Sequence, residues 1–107
     1  MSLPKLLKTF QVERKKTGLN GKGARAATWM AVGTLRGVLA DASPHDRLQW
    51  KQMQHPVTHQ IVQPGAPQTK QGDRLLYNGR KFYVQGMENP GELNAWTIIM
   101  CEEREDA

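Results

Sequence analysis

Asn78-Gly79 is the feature that most constrains how this chain can fold. Asparagine followed by glycine readily adopts two successive positive φ angles, and here the pair stands between residues 73–77 and 80–87, runs rich in aromatic and β-branched side chains. The stretch predicts a tight antiparallel hairpin. A hairpin alone buries too little apolar surface to offset the entropy of ordering its backbone, so neighbouring segments must supply strands. Residues 57–63 and 95–103 have that composition. The C-terminal half therefore reads as a four-strand antiparallel meander.

At 107 residues, 38% hydrophobic and 23% charged, the chain is expected to form one globular domain over residues 1–107, helped by association with other copies. No apolar run approaches the ~20 residues of a membrane span. Residues 1–10 also lack the apolar core of a signal peptide, so the expectation is a protein made and kept in a cytoplasm.

Taken in order, residues 1–8 read as a flexible arm, since Pro4 is unsuited to a central strand. Phe10, Val12 and Arg14 alternate with polar neighbours, which predicts a short half-buried strand. Residues 15–25 hold Gly18, Gly21 and Gly23 and read as a loop or wide turn. The Gly-Lys within it is followed by Gly23, not by the hydroxyl residue of a phosphate-binding loop.

Residues 26–40 carry apolar side chains at both helical and strand spacings. Gly33 and Gly37 would each cost a helix interior about 1 kcal/mol, so a long strand is expected, kinked near Gly33 to Gly37 and shared by two edges of a small barrel. Residues 41–56 change character. Ser43, Pro44 and Asp46 form a helix-start signal, and Pro56 marks the end of a helix of two or three turns. Its apolar residues Leu48, Trp50 and Met53 do not form one stripe. The segment is therefore expected either to be a mobile loop that orders against a partner through Trp50 and Met53, or to cap an open barrel end. Residues 64–72 read as a long surface loop, and the last strand is apolar on both faces, with Trp96, Ile98 and Met100 opposite Ile99 and Cys101. Residues 104–107 form an acidic tail. The fold class is mainly β: a small antiparallel β-barrel with long loops and one short helix.

Chemistry-bearing residues do not converge. His55 and His59 are four apart, but Pro56 denies them a shared helix, and along a strand they lie too far apart for one ion. Cys101, the single cysteine, sits among Ile98, Ile99 and Met100 and reads as a small buried hydrophobe. Asp73 reads as a turn carboxylate bonding a nearby N–H. No catalytic centre, metal site or cofactor is expected.

The net charge of +5 is polarised. Residues 1–40 carry eight basic side chains against the single acid Glu13, whereas residues 41–107 carry seven basic and nine acidic. Such polarity suits phosphate contact, pairing of one copy's basic end (Lys15, Lys16, Arg25) with another's acidic end (Glu102, Glu103, Glu105), or a plain solvated surface.

Residues Pro56-Val57-Thr58-His59, a Pro-Gly loop, Gly72-Asp73-Arg74-Leu75, Asn78-Gly79-Arg80, Phe82-Tyr83-Val84 and Cys101-Glu102-Glu103 together resemble the head-tail joining proteins of bacteriophages and prophages, also called head-closure or stopper proteins. That resemblance implies a non-enzymatic small β-barrel that assembles as a ring beneath the portal, joins the DNA-filled head to the tail and, in some members of the family, closes the DNA channel. It implies portal, adaptor and tail-completion proteins as partners, non-specific contact with packaged DNA, and no membrane or small-molecule substrate. The place implied is the head-tail interface of the virion, reached from the host cytoplasm. The loop directed at the ring axis corresponds to residues 41–56, where Arg47 and Lys51 would approach DNA and Trp50 and Met53 a partner. The rival reading is a nucleic-acid-binding barrel, SH3-like or OB-like, using the basic first 40 residues.

Overall fold

The computed structural model describes residues 6–19 and 25–105. Residues 1–5 of the expected arm, 20–24 of the glycine-rich stretch and 106–107 of the acidic tail lie outside the described residues. The elements are β1 (Lys8–Leu19), β2 (Arg25–Asp41), α1 (Pro44–Gln52), β3 (His59–Pro64), β4 (Arg74–Tyr77), β5 (Arg80–Glu88) and β6 (Trp96–Arg104). Every strand pairing is antiparallel, and the order β1-β2-β3-β6-β5-β4 closes on itself as a barrel.

The anchoring turn forms as expected. Asn78 and Gly79 take φ of 50° and 75° between β4 and β5, and Tyr77 pairs with Arg80 across the turn. Gly79→Ala is expected to cost about 1 kcal/mol through its left-handed backbone alone, read as a lowered urea midpoint.

β2 is the long bent strand the glycines suggested. Its first part pairs with β1 from Arg25 to Gly37, and its last four residues pair with β3. Val12 faces Gly33 while Glu13 faces Ala31, so Val32 is an extra, bulged residue that bends the strand.

Two expectations about the walls need correction. The glycine-rich stretch is not a loop from residue 15, because β1 continues to Leu19 and β2 resumes at Arg25 in unbroken register. Cross-strand pairing overrides the weak local propensity of Gly18. Nor is the C-terminal half a four-strand meander: β4, β5 and β6 follow one another, but β3 pairs with β6. Moving from β3 to β4 means crossing three strand spacings, about 14 Å, which the residues between Pro64 and Arg74 span easily. The reason β6 lies beside β3 is its outer face. Ile98 and Met100 need cover, and α1, which leaves β2 and returns to β3, places Trp50 there with Ala42 and Val57.

Inside the barrel, Phe10, Val12, Leu35, Ile61, Leu75, Phe82, Val84, Ile99 and Cys101 form the core. Phe10 meets Phe82 edge-on at 6.1 Å between ring centroids. Cys101 is fully enclosed, and burial pushes its thiol up to about 12, with Glu103 adding to the effect. Trp96, expected on a covered face with Ile98 and Met100, is 47% exposed at the start of β6 and is not part of the cluster around Trp50.

Candidate interface surfaces

The surfaces available for contact are set by three ties, two between strands distant in sequence and one that docks α1. The first lies where the barrel closes, a seam of only three paired positions between β1 and β4, residues 11–13 against 76–74. Asp73, 2% exposed, stands at its end. Its carboxylate accepts from Arg14 Nε and Nη2 at 3.0 Å each, from Thr69 Oγ1 at 2.9 Å and from the Lys70 N–H at 2.9 Å. Burial alone would raise the Asp73 carboxyl; the Arg14, Lys70 and Thr69 donors outweigh it and hold the group below its ordinary value. Arg74 pairs with Glu13 across the same seam. Asp73 bonds a nearby N–H, that of Lys70, as expected of a turn carboxylate, but its pairing with Arg14, 59 positions away, was not expected from the sequence.

The second tie joins the ends of β2, β3 and β6. Thr58 Oγ1 accepts the Glu103 N–H at 2.8 Å and meets His59 Nδ1 at 2.8 Å. His59 Nε2 faces Asp41 at 3.3 Å. Glu103 also takes two bonds from Arg80, at 2.8 and 2.9 Å, and these hold its carboxyl below the ordinary range. A hydroxyl, an imidazole and a carboxylate thus lie in sequence, but Thr58 is committed to the backbone. The cluster ties three strands together.

The third tie docks α1. Ser43 Oγ accepts from the Asp46 N–H at 3.1 Å, the cap expected from sequence. The helix ends at Gln52, ahead of Pro56, with Gln54 at φ 62° turning the chain away. Arg47 donates to the carbonyls of Ala42 and Thr58, each at 3.1 Å, joining the two ends of the insertion. Trp50 lies against Gly86, where a Cβ would come within 2.5 Å of its ring.

Arg47 and Trp50, expected as outward contacts, also fasten the helix to the barrel, Arg47 from an exposed position and Trp50 from a half-buried one. Lys51 and Met53 remain exposed, Met53 at 48%. Leu48, 58% exposed, joins them and was not among the expected contact residues.

The charged candidates divide in the same way. Glu103 is engaged by Arg80, and Glu102 pairs with Arg104. Glu105, just past β6, is exposed. Lys15 and Lys16 are exposed on β1, and Arg25 opens β2 opposite Leu19. Lys15 also borders a groove of about 500 Å³ with Trp29, Gln71, Arg74, Tyr83 and Arg104. There the Arg74 guanidinium stacks over Trp29 at 4.3 Å and that of Arg104 over Tyr83 at 4.6 Å. Both arginines are also paired with carboxylates, Arg74 with Glu13 and Arg104 with Glu102. No group of three or more metal-ligating side chains occurs among the described residues.

The fold is shared with other proteins. The solution structure of protein SF1141 from Shigella flexneri 2a superposes with a TM-score of 0.73 at 17% identity, covering 100% of both chains. A chain from the virion of a native gene transfer agent particle superposes with a TM-score of 0.60 at 15% identity, covering 92% of this chain and 96% of the other. No curated protein sequence matches this chain. The family model for phage head completion proteins matches residues 1–104, almost the whole length, and this chain belongs to that family.

Proposed function

We propose that this protein is a ring-forming subunit of a phage or prophage neck, joining the portal of the DNA-filled head to the tail and closing the DNA channel. Membership of the phage head completion family gives the coarse role, a structural part in completing the head, and is the observation that carries the reading. The likeness to a chain of a gene transfer agent virion supports a place within a particle. The partners in this reading are portal or adaptor proteins, a tail-completion protein and further copies of the chain, with assembly beginning in the host cytoplasm.

The insertion 41–56 supports the finer part. Its helix has no fully buried side chain, yet it is fastened at both ends and through Trp50. Such an element keeps its place while presenting Leu48, Lys51 and Met53 outward. We assign these three residues to the contact with a neighbour or with the channel.

The test is light scattering after size exclusion, with the protein alone and mixed with a portal ring. The wild type is expected to join the portal in a complex of several copies. Lys51→Glu with Met53→Ala changes only exposed positions, so stability should shift by less than about 1 kcal/mol, while complex formation falls at least tenfold. A failure of the wild type to form any ring or complex would sink the neck role. An unimpaired double variant would instead remove the helix face from it.

A further inference from the structure

We infer that the outer edge of β2 pairs, strand to strand, with the β1 edge of a second copy, so that projecting hairpins of successive subunits form one continuous sheet. The inference rests on the ring reading above and specifies its subunit contact.

Beyond the bulge at Val32, β1 and β2 run on together past the last strands that flank them, held to the barrel at their root by Arg14 on Asp73 and by Trp29 on Arg74 and Tyr83. Six paired positions, from Arg14 with Met30 to Leu19 with Arg25, have no third strand among the described residues: β4 covers β1 only at residues 11–13, and β3 covers β2 only from Val38 onward. The result is a two-stranded ribbon rooted in the wall. Ribbons of two strands are marginal in water, because they order many backbone groups while burying little. The exposed apolar side chains on this one are substantial, Met30 at 45% and Val32 at 44%.

The two free edges differ. Residues 26–35 of β2, Ala-Ala-Thr-Trp-Met-Ala-Val-Gly-Thr-Leu, contain no charge and no proline. Proteins normally protect a solvent-facing edge with charges, prolines, bulges or brevity, and between Arg25 and Arg36 this edge has only the bulge at Val32. Residues 14–16 of β1, Arg-Lys-Lys, are all basic. Pairing two β1 edges would set those cations against one another. Pairing β1 of one copy with the uncharged β2 edge of the next avoids this repulsion. It is also a head-to-tail contact, the kind that generates a cycle when its rotation closes.

Amide hydrogen exchange across a concentration series reads the contact without assuming a register. As light scattering reports a rising mass, amides within residues 25–33 and 14–19 should gain at least tenfold protection. Met30→Lys with Val32→Lys should abolish both changes, with a wild-type circular dichroism spectrum. Leu93→Lys, at a position 77% exposed on the turn between β5 and β6, should leave both intact. Assembly without new protection at β2 overturns the edge contact while sparing the ring, and so does assembly of the double lysine variant. Protection that appears only on adding duplex DNA also overturns it, in favour of nucleic acid. No mass increase at any concentration, with or without a portal ring, overturns the ring reading and this contact with it.

Discussion

Asp73→Ala is expected to lower the unfolding free energy by about 3 kcal/mol, one of the largest losses for any residue outside the apolar core. The carboxylate is 2% exposed and serves four donors on three residues, so truncation strands the Thr69 hydroxyl, the Lys70 N–H and the Arg14 guanidinium together. Arg14 is 38% exposed, and water recovers part of its loss, which keeps the figure below that of a fully buried pair. Arg14→Ala should therefore cost less. The same site sets an acid limit. Asp73 and Glu103 both have folded-state values held below the ordinary one. Their stabilisation is complete above the ordinary carboxylate value of about pH 4 and is lost as pH falls through the depressed folded values. Asp73→Asn should flatten that acid limb in urea titrations; an unchanged limb would show that Asp73 is not what sets it.

Gly86→Ala is the second large expected effect, about 2 kcal/mol. The new methyl would fall 2.5 Å from Trp50 Cη2 and 2.9 Å from Cζ3, and an indole has no flexible end that can give way. Relief requires expelling the ring, which uncovers Ala42, Val57 and Met100 and frees α1. Trp50→Ala should produce a similar loss by removing the same contact. If both changes act there, the double variant will be far less impaired than the sum of the two, and strict additivity would refute the docking argument. Portal binding should fall in both single variants, because an undocked helix no longer holds Leu48, Lys51 and Met53 in place.

These two sites show where sequence reading reached its limit. The Asn78-Gly79 turn, the Ser43 cap and the bent β2 were legible because each is written in neighbouring residues. The pairing of β3 with β6 was not, since strand order depends on contacts some forty residues apart. Glycine composition misled in the other direction, shortening β1 and hiding the ribbon. At the candidate contacts, helical spacing marked Trp50 and Met53 as residues of a marginal helix, and the family resemblance added Arg47 and Lys51. Neither gave any sign that the carbonyls of Ala42 and Thr58, or the bare backbone at Gly86, would claim Arg47 and Trp50. Gly86 itself carried a usable signal, because a glycine inside a strand often marks a close approach.

The brevity of the β1–β4 closure governs how the wall bears a load. A pull along the strands shears its three rungs and the Glu13–Arg74 and Arg14–Asp73 bridges all at once, whereas a sideways pull on the hairpin peels them in turn. A subunit whose hairpin is drawn lengthwise would resist far more than one tugged outward, so the direction in which pressure reaches it decides whether the barrel holds or unzips.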